Sequence, residues 1–361
     1  MTEPDRLRVT YRISGDDPRS VVDAIRVEQT IEFPYRLAPE WIQRDVVGRV
    51  EAAAGDTFTV SYDAGVVRGG LVQLLNVLWG NVSLFEAVRI EGLELPASVL
   101  VSLPGPRFGT DGLRRLLQAE GRPLLTTALK PMGLSVDELA RDAAVLAAAG
   151  FDIIKDDHGL ADQPWAPWEK RVRRCAAAVQ EANARHGTSG VYAPSLNVNS
   201  PEVLDRAHQA KEFGAGALLV LPGLVGFDMM RALAADAELG LPIMSHPSML
   251  GSTVIHRDQG IRHGIVLGLL CRIAGADISI FPNYGGRFSF SQAECADIRD
   301  ECLAPLGAMA ATFPSPGGGM TLDRVPELLE FYGRDVAVLV GGALHDGDLE
   351  QNARKLRAAV E

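Results

Sequence analysis

The segment PLLTTALKPMGLSVDELARDAAVLAAAGFDIIKDD, residues 123–157, contains a short apolar run, an amphipathic helical pattern and a second apolar run. The helical pattern opens with Ser135 and Glu138, which have the S-x-x-E spacing of a capping box, and Gly150 can end it. The two apolar runs are nearly continuous, which is typical of parallel strands buried on both faces of a sheet. The segment therefore predicts a strand–helix–strand unit with parallel strands.

The same alternation continues to the end of the chain and gives eight cycles. The predicted strands are Pro123–Lys130, Phe151–Asp157, Gly190–Val198, Ala217–Gly223, Pro242–Pro247, Asp277–Pro282, Ala308–Ser315 and Val336–Gly342. The predicted helices are Ser135–Ala149, Glu169–His186, Pro201–Phe213, Phe227–Leu239, Asp258–Ala274, Ser291–Leu303, Arg324–Tyr332 and Asp348–Val360. Eight such repeats predict an α/β fold with a (β/α)8 TIM barrel, and a doubly wound open sheet is the alternative.

The residues before Pro123 follow a different pattern. Strands are predicted near Leu7–Ile13 and Thr57–Tyr62, and helices near Ala38–Glu51 and Gly70–Leu78. The stretch Leu103–Gly109 is rich in Pro and Gly, which is typical of a connection between domains. We therefore expect a smaller α+β (ferredoxin-like) N-terminal domain at 1–105, followed by the barrel at 106–361, which carries the active site.

Composition and charge narrow the class of protein. Of 361 residues, 47% are hydrophobic and 22% charged, as in ordinary globular proteins. Lys and Arg number 35 and Asp and Glu 46, so the formal net charge is 35 − 46 = −11. The one dense basic run, Lys170–Arg174, is short, and the electrostatic footprint of a nucleic-acid-binding protein is missing. A small-molecule substrate is expected instead.

The cysteines and the start of the chain bear on the compartment. The cysteines are scattered and form no C-x-x-C pair, which predicts reduced thiols in the core: Cys175, Cys271, Cys295 and Cys302. Met1–Arg8 is polar and does not resemble a secretory signal, and no apolar run reaches the roughly 18 residues of a membrane span. We expect a cytoplasmic protein without a membrane partner.

Polar residues collect where the predicted strands end, which is where barrel enzymes place their catalytic groups. They are Lys130, Lys155-Asp156-Asp157-His158, Asn197, Asn199, Ser245-His246 and Asn283 to Arg287. Strand alternation turns Lys155 and Asp157 toward the barrel interior and Asp156 toward the outer layer. Lys155 and Asp157 form either a plain ion pair or part of a divalent-metal site, and Lys130 is either a structural cation or a base whose pKa the neighbouring lysine lowers.

Glycines follow the last two predicted strands, as Gly317–Gly319 and Gly341-Gly342. Backbone N–H groups without a nearby Cβ can approach an anion closely, and the loops after strands seven and eight are the usual phosphate site of such barrels. Arg287 supplies a counter-charge. The glycines predict a phosphorylated substrate, while plain turns are the alternative interpretation.

Two stretches, Lys130-Pro131-Met132-Gly133-Leu134 and Gly150-Phe151-Asp152-Ile153-Ile154-Lys155-Asp156-Asp157, resemble the large-subunit family of ribulose-bisphosphate carboxylase (RuBisCO). The resemblance extends to Trp79-Gly80-Asn81-Val82, Ser245-His246, Gly286-Arg287 and both glycine clusters. The chain is similar to the RuBisCO-like proteins of the form IV type. This family has an α+β N-terminal domain followed by a (β/α)8 barrel.

The resemblance also implies a chemistry, which is Mg²⁺-assisted enolisation of a phosphorylated keto compound. It implies that Lys155 captures CO₂ as a carbamate and becomes a metal ligand beside Asp157, with CO₂ as the activator. Lys130 and His246 are the other implied catalytic residues, with Lys130 as the acid and base at the reacting carbon.

The implied substrate-binding residues come from both domains. The phosphate would be held by Arg287, Gly318, Gly319, Gly341 and Gly342. Glu28 and Asn81 match positions that the family's N-terminal domain contributes to the site of a partner subunit. A homodimer with active sites at the subunit interface is therefore expected.

The chain departs from the family at four places. Met132 replaces the second lysine of the K-P-K motif, His158 replaces a metal-binding glutamate, and Pro247 replaces an arginine. A histidine of the sixth strand is also missing from Asp277–Pro282. The resemblance without these cations implies a substrate with one phosphate and a protein that is not a true CO₂-fixing carboxylase. Mg²⁺ remains the expected metal, although His158 as a ligand would suit Mn²⁺ or another divalent ion such as Fe²⁺ or Zn²⁺.

Two chemistries and one non-catalytic role remain open. The first is C–C cleavage of 3-oxo-isoapionate 4-phosphate, by decarboxylation or by transcarboxylation and hydrolysis, as in apiose catabolism. The alternative is proton transfer, as in 5-methylthioribulose-1-phosphate isomerase or 2,3-diketo-5-methylthiopentyl-1-phosphate enolase, whose methylthio group needs an apolar pocket. Candidate pocket residues are Met132, Pro247, Met249 and Phe281. The third hypothesis is a scaffold protein without activity.

Overall fold

The computed structural model describes residues 5–68 and 70–361. Met1–Pro4 and Gly69 lie outside the described residues, so the polar start expected over Met1–Arg8 is described from Asp5 onward. The chain forms two compact units. The first contains the residues up to Pro104 together with Met249–Val266, and the second contains Gly105–Ser248 and Leu267–Glu361.

The strands of the described residues, in chain order, are β1 (Arg6–Ile13), β2 (Arg49–Ala54), β3 (Thr57–Asp63), β4 (Val88–Glu94), β5 (Leu124–Leu129), β6 (Ile153–Asp156), β7 (Val191–Ala193), β8 (Leu218–Val220), β9 (Ile243–Ser245), β10 (Gly260–Ile261), β11 (Ile278–Pro282), β12 (Phe313–Gly317) and β13 (Ala337–Leu339).

The α-helices are α1 (Pro18–Glu28), α2 (Glu40–Asp45), α3 (Leu71–Trp79), α4 (Ala97–Leu100), α5 (Gly109–Leu117), α6 (Val136–Ala148), α7 (Trp168–His186), α8 (Val203–Glu212), α9 (Pro222–Val225), α10 (Phe227–Ala235), α11 (Gly251–Val254), α12 (Cys271–Ile273), α13 (Gln292–Leu303), α14 (Val325–Tyr332) and α15 (Leu349–Ala359). Short 3₁₀ turns cover Tyr35–Leu37, Ala64–Val67, Asn81–Leu84, Ser200–Glu202, Leu322–Arg324 and Gly342–His345, and Gly264–Leu270 is a π-helix.

The first unit is a five-stranded sheet in the order β10-β4-β1-β3-β2. Every second residue of β1 is buried, from Leu7 to Ile13, as strand alternation requires. Helix α1 begins at Pro18, and the Asp17 side chain caps it by accepting a hydrogen bond from Ser20 N at 3.1 Å. The β-α-β-β-α-β order with antiparallel pairing is the α+β, ferredoxin-like arrangement that the sequence predicts.

The second unit is the barrel. Two four-stranded parallel sheets have the orders β13-β5-β6-β7 and β12-β11-β9-β8. A parallel bridge between Ser195 and Leu219 joins β7 to β8, and the Ser315 hydroxyl donates to the Ala337 carbonyl at 2.8 Å between β12 and β13. Eight parallel strands therefore close on themselves, which confirms the TIM barrel and excludes the open sheet.

The barrel interior is filled by apolar side chains at alternate strand positions. They include Leu124, Ile153, Ala193, Ala217, Leu219, Met244, Ile278, Ile280, Phe313 and Ala337. Along each strand, the inward positions that follow these core residues lie at the carboxyl end. The polar residues noted in the sequence occupy these positions. The fold thus separates an apolar base from a polar rim.

Two buried aspartates form hydrogen bonds at the amino ends of the barrel strands, opposite the polar rim. Asp277, before β11, accepts hydrogen bonds from the backbone N–H groups of Phe108, Gly109 and Ile243 at 2.8–2.9 Å. Asp152, before β6, accepts Leu125 N and both terminal nitrogens of Arg122, each at 2.7 Å. Each carboxylate ties backbone of neighbouring segments together.

Three element predictions are wrong. The helix predicted near Ala38–Glu51 is the short α2 followed by β2, because residues 49–54 pair with β3 as an edge strand. The helix predicted over Asp258–Ala274 is wrong only in its first part, where Gly260–Ile261 forms β10 and pairs with β4, and the helical part is the π-helix Gly264–Leu270 followed by α12. Pairing with β4 also explains why Met249–Val266, which the sequence analysis placed in the barrel domain, groups with the first unit.

The seventh barrel strand is the third difference. The sequence predicts Ala308–Ser315, whereas β12 covers Phe313–Gly317. The carbonyls of Met309 and Ala310 accept hydrogen bonds from the Arg272 guanidinium, so this stretch is not available for a ladder.

The four cysteines are buried and form no disulfide among the described residues, as predicted. No helix in residues 5–68 and 70–361 combines the length and apolar character that a membrane crossing requires.

The hydrogen bonds that Asp152 accepts from Arg122 and Leu125 give a stability prediction. Asp152→Asn turns one acceptor oxygen into an NH₂ group that faces existing donors, and it leaves Arg122 without its carboxylate. We expect the free energy of unfolding to fall by about 2–4 kcal/mol, seen as a lower urea midpoint at an unchanged slope. The control is Asp137→Asn, whose side chain is 81% exposed beside Arg174, and which should change stability by less than about 0.5 kcal/mol. Equal effects of the two substitutions on the free energy of unfolding would contradict a stabilising role for the Asp152 hydrogen bonds.

Candidate active site

Lys130, Asp157 and His158 form the centre of the polar rim. Lys130 follows β5 and Asp157 follows β6, which are neighbouring parallel strands. Lys130 Nζ lies 2.8 Å from Asp157 Oδ2, and His158 Nδ1 lies 3.1 Å from Asp157 Oδ1. Burial alone would raise the pKa of Asp157, but hydrogen bonds from His158 and Lys130 and the charges of both lysines hold the pKa well below its usual range. Asp157 is therefore an anion shared by two neighbours.

Lys155 lies two residues before Asp157, so its side chain is on the same inward face, one inward position nearer the apolar core. Its side chain is 2% exposed, and Nζ donates to the Asp156 carbonyl at 3.1 Å. Burial lowers the pKa of the Lys155 amine to about 8, and Lys130 adds to this effect while Asp157 opposes it. A buried amine that readily becomes neutral is a nucleophile, which is what capture of CO₂ requires.

Asp156 points to the outer layer, as the alternation predicts. Its carboxylate accepts hydrogen bonds from Tyr192 Oη at 2.6 Å, from Ser195 N at 3.1 Å and from Arg171 Nε of α7 at 3.2 Å. With Asp156 held in this layer, Lys155 and Asp157 on either side of it must face the interior.

His246 lies at the end of β9 and stacks on His158. The ring centroids are 4.4 Å apart and the planes are inclined by 12°. His246 Nδ1 lies 2.9 Å from the Ser248 hydroxyl. Burial lowers the pKa of His246 well below its ordinary value, with Lys155 and His158 acting in the same direction. The structure thus brings Lys130, Lys155, Asp157 and His246 to one end of the barrel, with His158 stacked beside them.

The residues fit a hard metal ion on one condition. Within the described residues, no three His, Cys, Asp or Glu side chains gather into a metal-binding cluster. A metal held by Asp157 therefore needs a further anionic ligand, and a carbamate on Lys155 would provide two oxygens. Carboxylate and carbamate oxygens are the donors that Mg²⁺ prefers, and His158 is the adjacent nitrogen donor.

Met132 occupies the position of the missing cation. It is 46% exposed, and its methyl group lies where a Cβ on Gly159 would come within 2.6 Å. The Met132 thioether therefore covers the loop that follows Asp157 and His158, and it is an apolar wall at this edge of the site.

One predicted pocket residue is wrong. Phe281 is 1% exposed, and its ring lies 6.2 Å from that of Tyr332 in α14, so it faces the helix layer. The inward side chains of β11 are Ile278 and Ile280. Met249 belongs to the first unit and is 71% exposed, with a positive φ of 69°.

One glycine cluster borders Arg287 and the other borders Lys130. Gly318 and Gly319 have φ values of 85° and 100°, and a Cβ on Gly319 would lie 3.0 Å from Arg287 N. A Cβ on Gly341 would lie 3.5 Å from Lys130 Cε, so the end of β13 borders the lysine. Within residues 5–68 and 70–361, the backbone N–H groups donate no hydrogen bond at Gly318, Gly319, Gly341 and Gly342. Four free donors suit a phosphate.

Of the remaining predicted residues, Arg287 and Asn197 border the residues described above, and the backbone N–H of Arg287 donates to the Gly318 carbonyl at 2.8 Å. Arg287 follows β11 and is exposed, with its guanidinium carbon 5.5 Å from the Phe288 ring centroid. Asn197 Nδ2 donates to the His158 carbonyl at 3.2 Å, whereas Asn199 donates to Glu202. Glu28 and Asn81 lie together in the first unit, where Asn81 Nδ2 donates to Glu28 Oε1 at 2.8 Å.

Sequence reasoning missed Ser195. It lies two residues before Asn197 and shares the inward register of β7, so alternation was the signal that could have found it.

Comparison with known proteins gives a consistent result. Residues 109–283 match the model of the ribulose bisphosphate carboxylase large chain, catalytic domain. The chain is 38% identical to the 5-methylthioribulose-1-phosphate isomerase of Rhodospirillum rubrum, over 94% of this chain and 91% of that protein. It is 33% identical to the 2,3-diketo-5-methylthiopentyl-1-phosphate enolase of Bacillus pumilus, over 80% of this chain and 71% of that protein.

Among solved structures, the crystal structure of a RuBisCO-like protein from Rhodopseudomonas palustris has a TM-score of 0.89 and 37% identity. The similarity covers 99% of this chain and 98% of that chain.

The burial of Lys155 generates a pH prediction. Between about pH 8 and the ordinary lysine pKa of about 10.4, the unfolded chain holds a proton that the folded protein has lost, so the free energy of unfolding rises with pH. Below pH 8 the buried charge destabilises the folded state. Lys155→Met removes this charge, so its stability relative to the unsubstituted protein should be highest near pH 7 and fall by on the order of 3 kcal/mol by pH 10.5.

The measurement is urea unfolding at several pH values in metal-free, CO₂-free buffer. Lys170→Met, which removes an exposed lysine of α7, is the matched control and should show no such dependence. A difference between Lys155→Met and the unsubstituted protein that stays constant with pH would contradict the assignment.

Proposed function

The chain belongs to the ribulose bisphosphate carboxylase large-chain family as a RuBisCO-like protein, and from this premise we propose that it catalyses proton transfer on a methylthiopentulose phosphate. The proposed reaction is isomerisation of 5-methylthioribulose 1-phosphate or a close analogue. A proton leaves the carbon beside the ketone, and a proton is returned at another carbon. The carbon skeleton stays intact.

One observation carries the proposal. Lys130 and Lys155, the two lysines that can handle a proton or a carbamate, lie beside Asp157, while the Met132 methyl group lies against Gly159 in the loop that follows Asp157 and His158. A carboxylation needs a cation to stabilise the new carboxylate, and Met132 offers none. A thioether wall instead suits the methylthio end of a substrate.

Lys130 is the residue that moves the proton. In its neutral form Nζ takes the proton from the carbon beside the ketone, and in its charged form it returns the proton. Asp157 Oδ2, at 2.8 Å, holds Nζ in position.

Asp157 and a carbamate on Lys155 are the proposed ligands of Mg²⁺, with His158 as an adjacent donor. Such an ion would supply Lewis-acid polarisation of the substrate carbonyl. The neutral His246, stacked on His158, limits the positive charge at this edge of the site.

The substrate phosphate is proposed to bind the free N–H groups of the two glycine clusters, with Arg287 as counter-charge. Among the described residues, β9 and β11 offer no cation for a second phosphate at these positions, since Pro247 follows His246 and the inward residues of β11 are isoleucines. This favours a substrate with one phosphate group.

The enolase reaction is the second candidate, because the B. pumilus relative carries that name and the same lysines would serve it. Cleavage of 3-oxo-isoapionate 4-phosphate stays a prediction of the sequence, and the R. rubrum and B. pumilus relatives carry the names of an isomerase and an enolase. We further propose a homodimer in which the Glu28–Asn81 pair of a second copy completes the site.

The first test is NMR in D₂O with Mg²⁺ and bicarbonate. Carbonyl migration or deuterium uptake is expected with 5-methylthioribulose 1-phosphate, and Lys130→Met should slow it by roughly 10²–10⁴-fold. Met132→Leu, which keeps an apolar wall of similar volume, should retain most of the activity. The diketo phosphate and 3-oxo-isoapionate 4-phosphate are offered in separate tubes. Loss of the carboxyl carbon from the last compound, with the first unchanged, would reject proton transfer as the function.

The second test concerns the phosphate. No atom lies within 4 Å of a Cβ on Gly342, so Gly342→Ala should fold normally while its methyl group obstructs the glycine N–H groups. We expect KM to rise about tenfold, the effect of losing a hydrogen bond to a charged group, with kcat little changed. Gly251→Ala, with equally open surroundings in the first unit, is the control. Unchanged KM in Gly342→Ala would place the phosphate elsewhere.

A further inference from the structure

Ser195 carries a buried hydroxyl without a partner. The residue is 0% exposed, and Ser195 Oγ forms no hydrogen bond among the described residues. An unpaired buried hydroxyl is unfavourable, and in native proteins such a group usually serves a ligand, an ion or a bound water. The Ser195 hydroxyl is therefore a candidate to bind a ligand, an ion or a water molecule.

Two hydrogen bonds hold the backbone of Ser195 in place. Ser195 N donates to Asp156 Oδ2 at 3.1 Å, and the Ser195 carbonyl accepts from Trp168 Nε1 at 3.1 Å. The parallel bridge to Leu219 places both side chains on the same face of the sheet, and Leu219 belongs to the barrel core. The Ser195 side chain therefore faces the barrel interior.

The strand register brings this interior position next to Lys155. Lys155 pairs with Ala128 on one side and with Ala193 on the other, and neither methyl group can form a hydrogen bond. Ser195 is two residues beyond Ala193, which is one inward position nearer the carboxyl end of the barrel. The length of an extended lysine side chain is about the rise of two residues along a strand, so groups attached to Nζ reach the level of Ser195.

We propose that the Ser195 hydroxyl donates a hydrogen bond to a carbamate on Lys155 and is a positioning residue for it. This inference rests on the proposed function, which includes the carbamate. In the carbamylation, the neutral Nζ attacks the carbon of CO₂, an N–C bond forms, one C–O π pair becomes a lone pair on oxygen, and a proton leaves Nζ for water. The product is a buried anion.

A buried anion needs donors on its oxygens. The lateral neighbours of Lys155 are alanines, and Asp157 can supply no donor. Ser195 is the buried donor that the described structure leaves free on this face. The Ser195 backbone is already held by its own hydrogen bonds, so this hydrogen bond requires ordering of the side chain alone.

The test measures carbamate formation directly, without substrate. The protein is titrated with ¹³C-bicarbonate in the presence of Mg²⁺, and the carbamate carbon is followed by ¹³C NMR. Lys155→Ala identifies the resonance by removing it. Ser195→Ala should raise the CO₂ concentration for half-saturation by about tenfold, the factor expected when one hydrogen bond to a charged group is lost.

The matched control is Ser315→Ala, which removes another fully buried serine hydroxyl of the barrel, one that already donates to the Ala337 carbonyl. It should lower the thermal midpoint without changing carbamate formation. If Ser195→Ala does not fold, the nearly isosteric Ser195→Cys carries the test, with a smaller shift in the same direction.

The outcomes separate the two proposals. A Lys155 resonance with the same half-saturation in the unsubstituted protein and the Ser195 variants would overturn the role of Ser195 and leave the carbamate intact. Absence of any resonance that depends on Lys155 would overturn the carbamate itself, and the role of Ser195 with it.

Discussion

The carboxylate of Asp156, buried between the barrel and helix α7, is the interaction on which the site depends. Tyr192, Arg171 and the backbone of Ser195 all donate to it. Because neighbouring side chains of a strand point to opposite faces, this outward anchor forces Lys155 and Asp157 inward. It also joins β6 to β7 and to the outer helix, so the reactive face and the scaffold share one set of hydrogen bonds.

The charges inside the barrel are few and mutually dependent. Asp157 balances Lys130 on one oxygen and contacts His158 through the other, while Lys155 is buried below them. Conversion of Lys155 to an anion would place a second negative charge next to Asp157 that Lys130 alone does not balance, and a divalent cation would offset it. Metal and CO₂ are thus coupled by electrostatics in the proposed function.

Much of the barrel was predictable because its pattern is local. Continuous apolar strands and capped helices such as α6 depend on nearby residues, and parallel strands all end at one edge, which is why Lys130, Lys155, Asp157 and His246 could be grouped in advance. Long-range pairing was not predictable, because nothing near Gly260 in the sequence announces its partner strand β4. The outward turn of Phe281 and the unpaired hydroxyl of Ser195 depend in the same way on the exact register of each strand.

The segment Met249–Val266 has a consequence for how the protein can be divided. It follows β9 of the barrel in the sequence, yet it supplies β10 to the sheet of the first unit. A fragment ending at Pro104 would lack this strand and would leave the edge of β4 unpaired, and open sheet edges favour association with other chains. Division of the chain at that boundary would therefore separate β10 from the sheet to which it belongs.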